Sequence, residues 1–261
     1  MLQNALGKLE ALYQKAFEPK RLEALQRQLR GVRRRLLLVF IAGGVGFGLT
    51  LYFRTAVIHW LLAPAHGRLS LTGQPVFTGP TEMLSLTIHL AIAGGVVAAL
   101  PVLVYHVARF CSPWMNKQQR RFVAIFLPAG FVCFLAGSAF AYFVLLPTGL
   151  GYLLQFGTDV AVPMIRISEY MDLALAMLFW LGVVFELPLA MFLLAKLRIV
   201  GYQRFKRLRR YVPVAAFFFS AIITPSFDAV NSTLIALPLI LLFEVGMLLA
   251  WLARPRLKLV P

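Results

Sequence analysis

Apolar residues in this chain come in long blocks, where a soluble domain would alternate them with polar ones. Six blocks approach the roughly 20 residues that a helix needs to cross a bilayer: 36–53, 83–108, 122–146, 173–195, 211–224 and 230–253. The spacing predicts an all-α, polytopic membrane protein with six transmembrane helices. The fifth block has 14 residues. As a helix it is about 21 Å long against a hydrocarbon core near 30 Å, so it crosses only by thinning the bilayer.

Ahead of the first block, Leu2, Leu6, Leu9, Tyr13, Phe17, Leu22, Leu25 and Leu29 recur at helical spacing among Lys and Arg. This pattern predicts an interfacial amphipathic helix, with Pro19 as a candidate break. No secretory leader is expected, since the first 35 residues hold nine Lys+Arg and no apolar core. Pro64, Pro80, Pro101, Pro128, Pro188, Pro213, Pro225 and Pro238 punctuate the blocks or their edges, which predicts kinked helices and a concave wall. Gly, Pro and Thr are frequent in 63–80, and 147–170 is the other long connection on that side, so together they are expected to cap the wall.

Composition agrees with a bilayer as the solvent. The chain is 60% apolar and 14% charged, against about 45–50% and 25% in soluble domains. Two cysteines, Cys111 and Cys133, are too few for a disulfide framework and read as small packing residues. The net charge of +16 would suggest nucleic acid if it were evenly spread. It is not: of 26 Lys+Arg, 23 fall in the N-terminal segment, in alternate connections and in the tail, and only Arg54, Arg68 and Arg166 on the other side. By the positive-inside rule both termini face the cytoplasm, and the charge is accounted for by orientation and anionic lipids. The domains expected are a basic cytoplasmic segment, 1–35, a six-span membrane domain, 36–253, and a cytoplasmic tail, 254–261.

Catalytic chemistry does not emerge. His59, His66, His89 and His106 are scattered, and none has metal-ligand spacing with an acidic or cysteine partner. No enzyme activity, metal or cofactor is expected. Gly44 and Gly48 form a small-xxx-small pair that predicts close helix packing. Glu186 lies near the middle of the fourth block, where a carboxylate is costly and needs a cavity, a proton or a polar partner. Glu244 lies nearer the cytoplasmic end of the sixth, where snorkelling is an alternative to function.

Several ordered stretches resemble the TatC family of the twin-arginine (Tat) protein translocase. They are Gln-Leu-Arg-Gly-Val-Arg-Arg-Arg-Leu-Leu at 28–37, Phe-Cys-Ser-Pro-Trp-Met-Asn-Lys-Gln-Gln-Arg-Arg at 110–121 and Phe-Glu-Leu-Pro at 185–188. Thr-Pro-Ser-Phe-Asp at 224–228, Ala-Leu-Pro at 236–238 and Phe-Glu-Val-Gly at 243–246 follow in the family's order.

The resemblance implies a receptor in the inner membrane that binds twin-arginine signal peptides of folded cargo. It would act with single-span Tat partners of the TatA and TatB type, powered by the proton-motive force, and as a homo-oligomer within a larger complex. It implies signal-peptide binding by Arg33, Phe110, Pro113, Gln119, Arg120 and Arg121, and intramembrane partner contact at Glu186 and Glu244. Pro64, Pro225 and Asp228 would shape the outer cap and turn. Phe110 also reads as an interfacial aromatic, and Asp228 as an N-cap of the sixth span.

Two departures fall on the family's signal-reading glutamates, whose places hold Gly31 and Gln119. Beyond residues 1–35 no cytoplasmic connection carries an acidic residue, so an Arg-Arg peptide meets net repulsion there. Glu23 is a possible substitute in another register. A TatC-like scaffold that binds Tat partners without reading the signal is the alternative. An ion-coupled transporter is a further reading, motivated only by the intramembrane carboxylate.

Overall fold

The computed structural model describes residues 19–65, 76–111, 117–155, 166–197, 199–223 and 229–253, with side chains over slightly shorter stretches. Among these residues the chain is helical, apart from turns and one isolated bridge between Val76 and Arg166. In order come α1 (Pro19–Tyr52), α2 (Arg54–Leu62) with a 3-10 turn at Ala63–Ala65, α3 (Glu82–Cys111) and α4 (Lys117–Phe140). A π-helical turn, Ala141–Leu145, leads into α5 (Leu146–Gln155). Then follow α6 (Ile167–Phe185), α7 (Leu187–Lys196), α8 (Tyr202–Leu208), α9 (Val212–Ile223) and α10 (Ala229–Leu252).

Five helical runs are long and apolar enough to cross a membrane: Arg33–Tyr52, Glu82–His106, Phe126–Tyr152, Ile167–Lys196 and Ser232–Leu252. At 12 residues α9 is about 18 Å long, which keeps the fifth block apart from these. The second half of the N-terminal amphipathic pattern is continuous with the first apolar block, since α1 runs without a break from Pro19 to Tyr52.

Glycine sets the closest contacts. Gly43 and Gly46 of α1 meet Gly95, Ala98 and Ala99 of α3 in antiparallel register; a Cβ on Gly95 would lie 2.8 Å from the Gly43 carbonyl oxygen. Gly44 and Gly48, the pair expected to pack, have open space around them instead. The packing face is chosen by the Gly94–Gly95 step of α3, and the small-xxx-small pair points away from it. A second antiparallel seam joins α4 to α6, where Gly137 lies under Phe185, Gly182 lies under Phe134, and the Ser138 hydroxyl donates to the Leu178 carbonyl at 3.0 Å. Small residues and a bridging hydroxyl are what associate helices in lipid, where no hydrophobic force drives them together.

Large apolar side chains such as Phe40, Val45, Tyr52, Phe143, Val214 and Phe218 stay exposed around the molecule, as hydrocarbon solvent permits. The main core gathers at the end where α3 and α6 begin, and includes Leu61, Leu86, Leu145, Met171 and Ile235. A smaller cluster of Met191, Phe205, Met247 and Ala250 closes the opposite, basic end.

Helix α2 lies over the main core as part of a cap, held by two tyrosines. The Tyr170 hydroxyl donates to the Leu61 carbonyl and the Tyr142 hydroxyl to the Trp60 carbonyl, each at 2.6 Å, and the Trp60 and Tyr142 rings stack. Because Tyr170 and Leu61 are both buried, Tyr170→Phe leaves a carbonyl short of a donor and should cost about 1–3 kcal/mol. Thermal unfolding in detergent checks this. The larger shift is expected for Tyr170→Phe, the smaller for Tyr142→Phe beside the exposed Trp60.

Candidate functional site

At the basic end, the register of α1 against α3 places residues 31–33 level with 109–111, since 43 faces 99 and 46 faces 95. Gly31, Arg33 and Phe110 are therefore brought to one end of neighbouring helices. Arg33 is exposed there. Gln119, Arg120 and Arg121 fall in the first turns of α4, which starts at Lys117. Pro113, Pro225 and Asp228 lie outside the described residues, as do the side chains of Phe110 and Gln119–Arg121. Pro64 sits in the 3-10 turn that ends α2, beside the buried Ala65.

Glu186 occupies the break between α6 and α7. Its N–H donates to the Val183 carbonyl at 3.1 Å and its carbonyl accepts from Ala190 at 2.8 Å, while Pro188, lacking an N–H, cannot bond to Val184. The half-buried Glu186 carboxylate has no hydrogen-bond partner among the described residues. Helix α10 closes on this break through Gly246, where a Cβ would stand 3.1 Å from the Pro188 Cα. The Phe-Glu-Leu-Pro and Phe-Glu-Val-Gly stretches are thus one packed unit.

Glu244, two residues away, accepts a hydrogen bond from Arg209 Nε at 2.7 Å. This ion pair ties the 3-10 turn that precedes α9, Arg209–Tyr211, to α10. The carboxylate meets a guanidinium 35 positions earlier in the chain.

Two groupings at the cap end have no counterpart in the sequence reading. Glu82 accepts from the Thr78 N–H at 2.7 Å and from the Ser168 hydroxyl at 2.6 Å, joining the starts of α3 and α6. His89 Nδ1 lies 3.3 Å from an Asp172 carboxylate oxygen across the same two helices. A histidine in the second block and an acid just ahead of the fourth were the available signal, but 83 residues separate them. Among the described residues no three His, Cys, Asp or Glu cluster to hold a metal ion.

These features define a class: a multi-pass, all-helical membrane protein with most of its cations at one end and carboxylates on open helix faces. Comparison with known proteins makes the class specific. Residues 27–238 match the family model for the Sec-independent protein translocase protein (TatC). The Carboxydothermus hydrogenoformans TatC is 31% identical over 87% of this chain and 93% of its own length. That of Koribacter versatilis is 33% identical over 87% and 85%. A crystal structure of a twin-arginine translocase receptor TatC superposes with a TM-score of 0.75 at 32% identity, covering 87% of this chain and 99% of that one.

The chain belongs to the TatC family, and is a multi-pass membrane component of a Sec-independent protein translocase.

Proposed function

We propose that this TatC-family chain is the receptor that binds twin-arginine signal peptides at the cytoplasmic face of the inner membrane, and that it acts without catalysing a reaction. The observation that carries this reading is the match, over most of both chains, to a solved twin-arginine translocase receptor. The proposed arrangement has six crossings, with α9 as a short fifth, both termini cytoplasmic, a basic segment at 1–35 and a tail at 254–261. Arg33, Phe110, Pro113, Gln119, Arg120 and Arg121 form the peptide site at the basic end. Glu186, and Glu244 with its Arg209 partner, face single-span Tat partners. Pro64, Pro225 and Asp228 shape the cap and outer turn, anionic lipids balance the cationic face, and copies of the chain associate within a larger complex driven by the proton-motive force.

Gly31 and Gln119 favour a second reading, a scaffold that holds Tat partners but does not read the arginines. Photocrosslinking from positions 110 and 119 to a twin-arginine signal peptide in membranes separates the two. A crosslink lost when Arg-Arg becomes Lys-Lys supports the receptor. No crosslink, with Glu186 still reaching a single-span partner, supports the scaffold.

A further inference from the structure

Seven cations gather in 196–210, between the fourth and fifth apolar blocks. Orientation accounts for their number, but not for their arrangement on α8 and the 3-10 turn after it. Phe205 and Arg209, one helical turn apart, face α10: Phe205 shares a cluster with Met247 and Ala250, and Arg209 pairs with Glu244. Lys206, Arg207 and Arg210 lie on the faces turned away from α10, at spacings of three and four. All three are exposed, and among the described residues none of them meets a carboxylate. Like charges at those spacings repel one another, so an anion shared by the three relieves that repulsion and gains charge-assisted hydrogen bonds.

The position of the trio indicates which anion. Straight after Arg210 comes Tyr211, whose ring lies 4.7 Å below the guanidinium, and then the uncharged helix α9. A cation, a ring and an apolar helix in that order mark a membrane interface. The same side of the helix continues as Val214 and Phe218, 73% and 72% exposed. Arg210 and Phe218 are eight residues apart. That is about 12 Å along the axis, most of the roughly 15 Å of hydrocarbon in one leaflet.

We propose that Lys206, Arg207 and Arg210 are the headgroup site of one anionic glycerophospholipid, whose acyl chain lies along Tyr211, Val214 and Phe218. Three cations exceed the charge of one phosphodiester, and each arginine offers a planar fork of donors. A lipid with two phosphates, diphosphatidylglycerol, is therefore the best match. A soluble anion would leave the apolar stripe uncovered. The proposal rests on the readings of α9 as a short fifth crossing and of the basic end as facing anionic lipid. To that diffuse attraction it adds one defined site, which sets the depth at which the short span enters the bilayer.

The test counts lipids retained by the full chain in detergent, by native mass spectrometry, as diphosphatidylglycerol or phosphatidylethanolamine is added. The parent should bind the first about tenfold more tightly, the scale of a few cations acting near a membrane surface. Lys206→Gln with Arg207→Gln and Arg210→Gln should erase most of that preference. Phe205 and Arg209 are untouched in this variant, so its melting temperature without added lipid should match the parent's. Removing equal charge through Arg33→Gln, Arg34→Gln and Arg35→Gln should leave most of the preference in place. A second measurement uses the parent alone, in nanodiscs. Diphosphatidylglycerol with a photoreactive acyl chain should label Val214 and Phe218 more than the exposed Phe40 and Val45 of α1, and a zwitterionic analogue should label both faces alike. Equal losses in the two triple variants, or equal labelling of α9 and α1 by the anionic lipid, overturn the site while the general attraction to anionic lipid stands. No preference in the parent overturns both, and leaves an acidic protein segment as the occupant of the patch.

Discussion

Gly46→Leu is expected to leave little folded protein in the membrane, while Gly44→Leu, on the opposite side of the same helix, accumulates like the parent. The difference follows from what each new side chain would meet. At position 46 a Cβ runs into the Ala98 Cβ and stands 2.9 Å from the Gly94 carbonyl oxygen and 3.2 Å from the Gly95 Cα. Two of these are backbone atoms, which cannot turn aside. At position 44 nothing lies within 4 Å.

Helix α1 has its main packing partner in α3, so separation by a leucine forfeits most of what holds it. Overpacking typically costs 1–3 kcal/mol and more where backbones touch, roughly a tenth to a half of the whole margin of an ordinary domain. Gly94→Leu should fail in the same way, because its Cβ would enter Thr50 from the other side. The measurement is the monodisperse fraction and its melting temperature in detergent. A Gly46→Leu protein that melts with the parent would mean that α1 and α3 are not joined by this seam.

The same seam marks where the sequence stops being informative. Apolar block length located the five helical runs long enough to cross a membrane, because the bilayer imposes that length on each helix separately. The kink at Glu186 was also legible, since Pro188 removes a backbone donor whatever packs around it. Choosing a face was not. Four glycines lie between 43 and 48 of α1, and which of them pack depends on Gly94 and Gly95, about 50 residues onward.

Pairings hid for the same reason. Glu244 is an intramembrane acid in the sequence; that it holds Arg209 follows only once α9 and α10 lie side by side. Tyr170 passes for one more aromatic in an apolar run until the end of α2 places the Leu61 carbonyl above it. A buried tyrosine needs an acceptor, and that signal could have pointed to the cap, though not to its partner.

Gly31→Glu combined with Gln119→Glu is expected to raise affinity for an Arg-Arg signal peptide by about ten- to a hundredfold, from charge-assisted bonds worth about 1.5–3 kcal/mol, and to raise it less for the Lys-Lys analogue. Gly31 is level with the end of α3, and position 119 begins α4. Both new carboxylates therefore stand at the basic end, where the existing cations, Arg33 and Arg34 among them, now repel a cationic peptide.

General attraction would help both peptides alike, since each carries the same charge. Arginine's planar fork can meet a carboxylate with two parallel bonds, and lysine's ammonium cannot. The excess gain for Arg-Arg is thus the part that reports a shaped site. Paired titrations of the parent and double variant, at two salt concentrations, separate it from the screened long-range part. Equal gains for the two peptides would mean that the carboxylates act only as distant charge and that the arginines dock elsewhere. Glu23 is then the carboxylate to replace next, and loss of Arg-Arg binding in Glu23→Gln would locate the reading site further from the membrane.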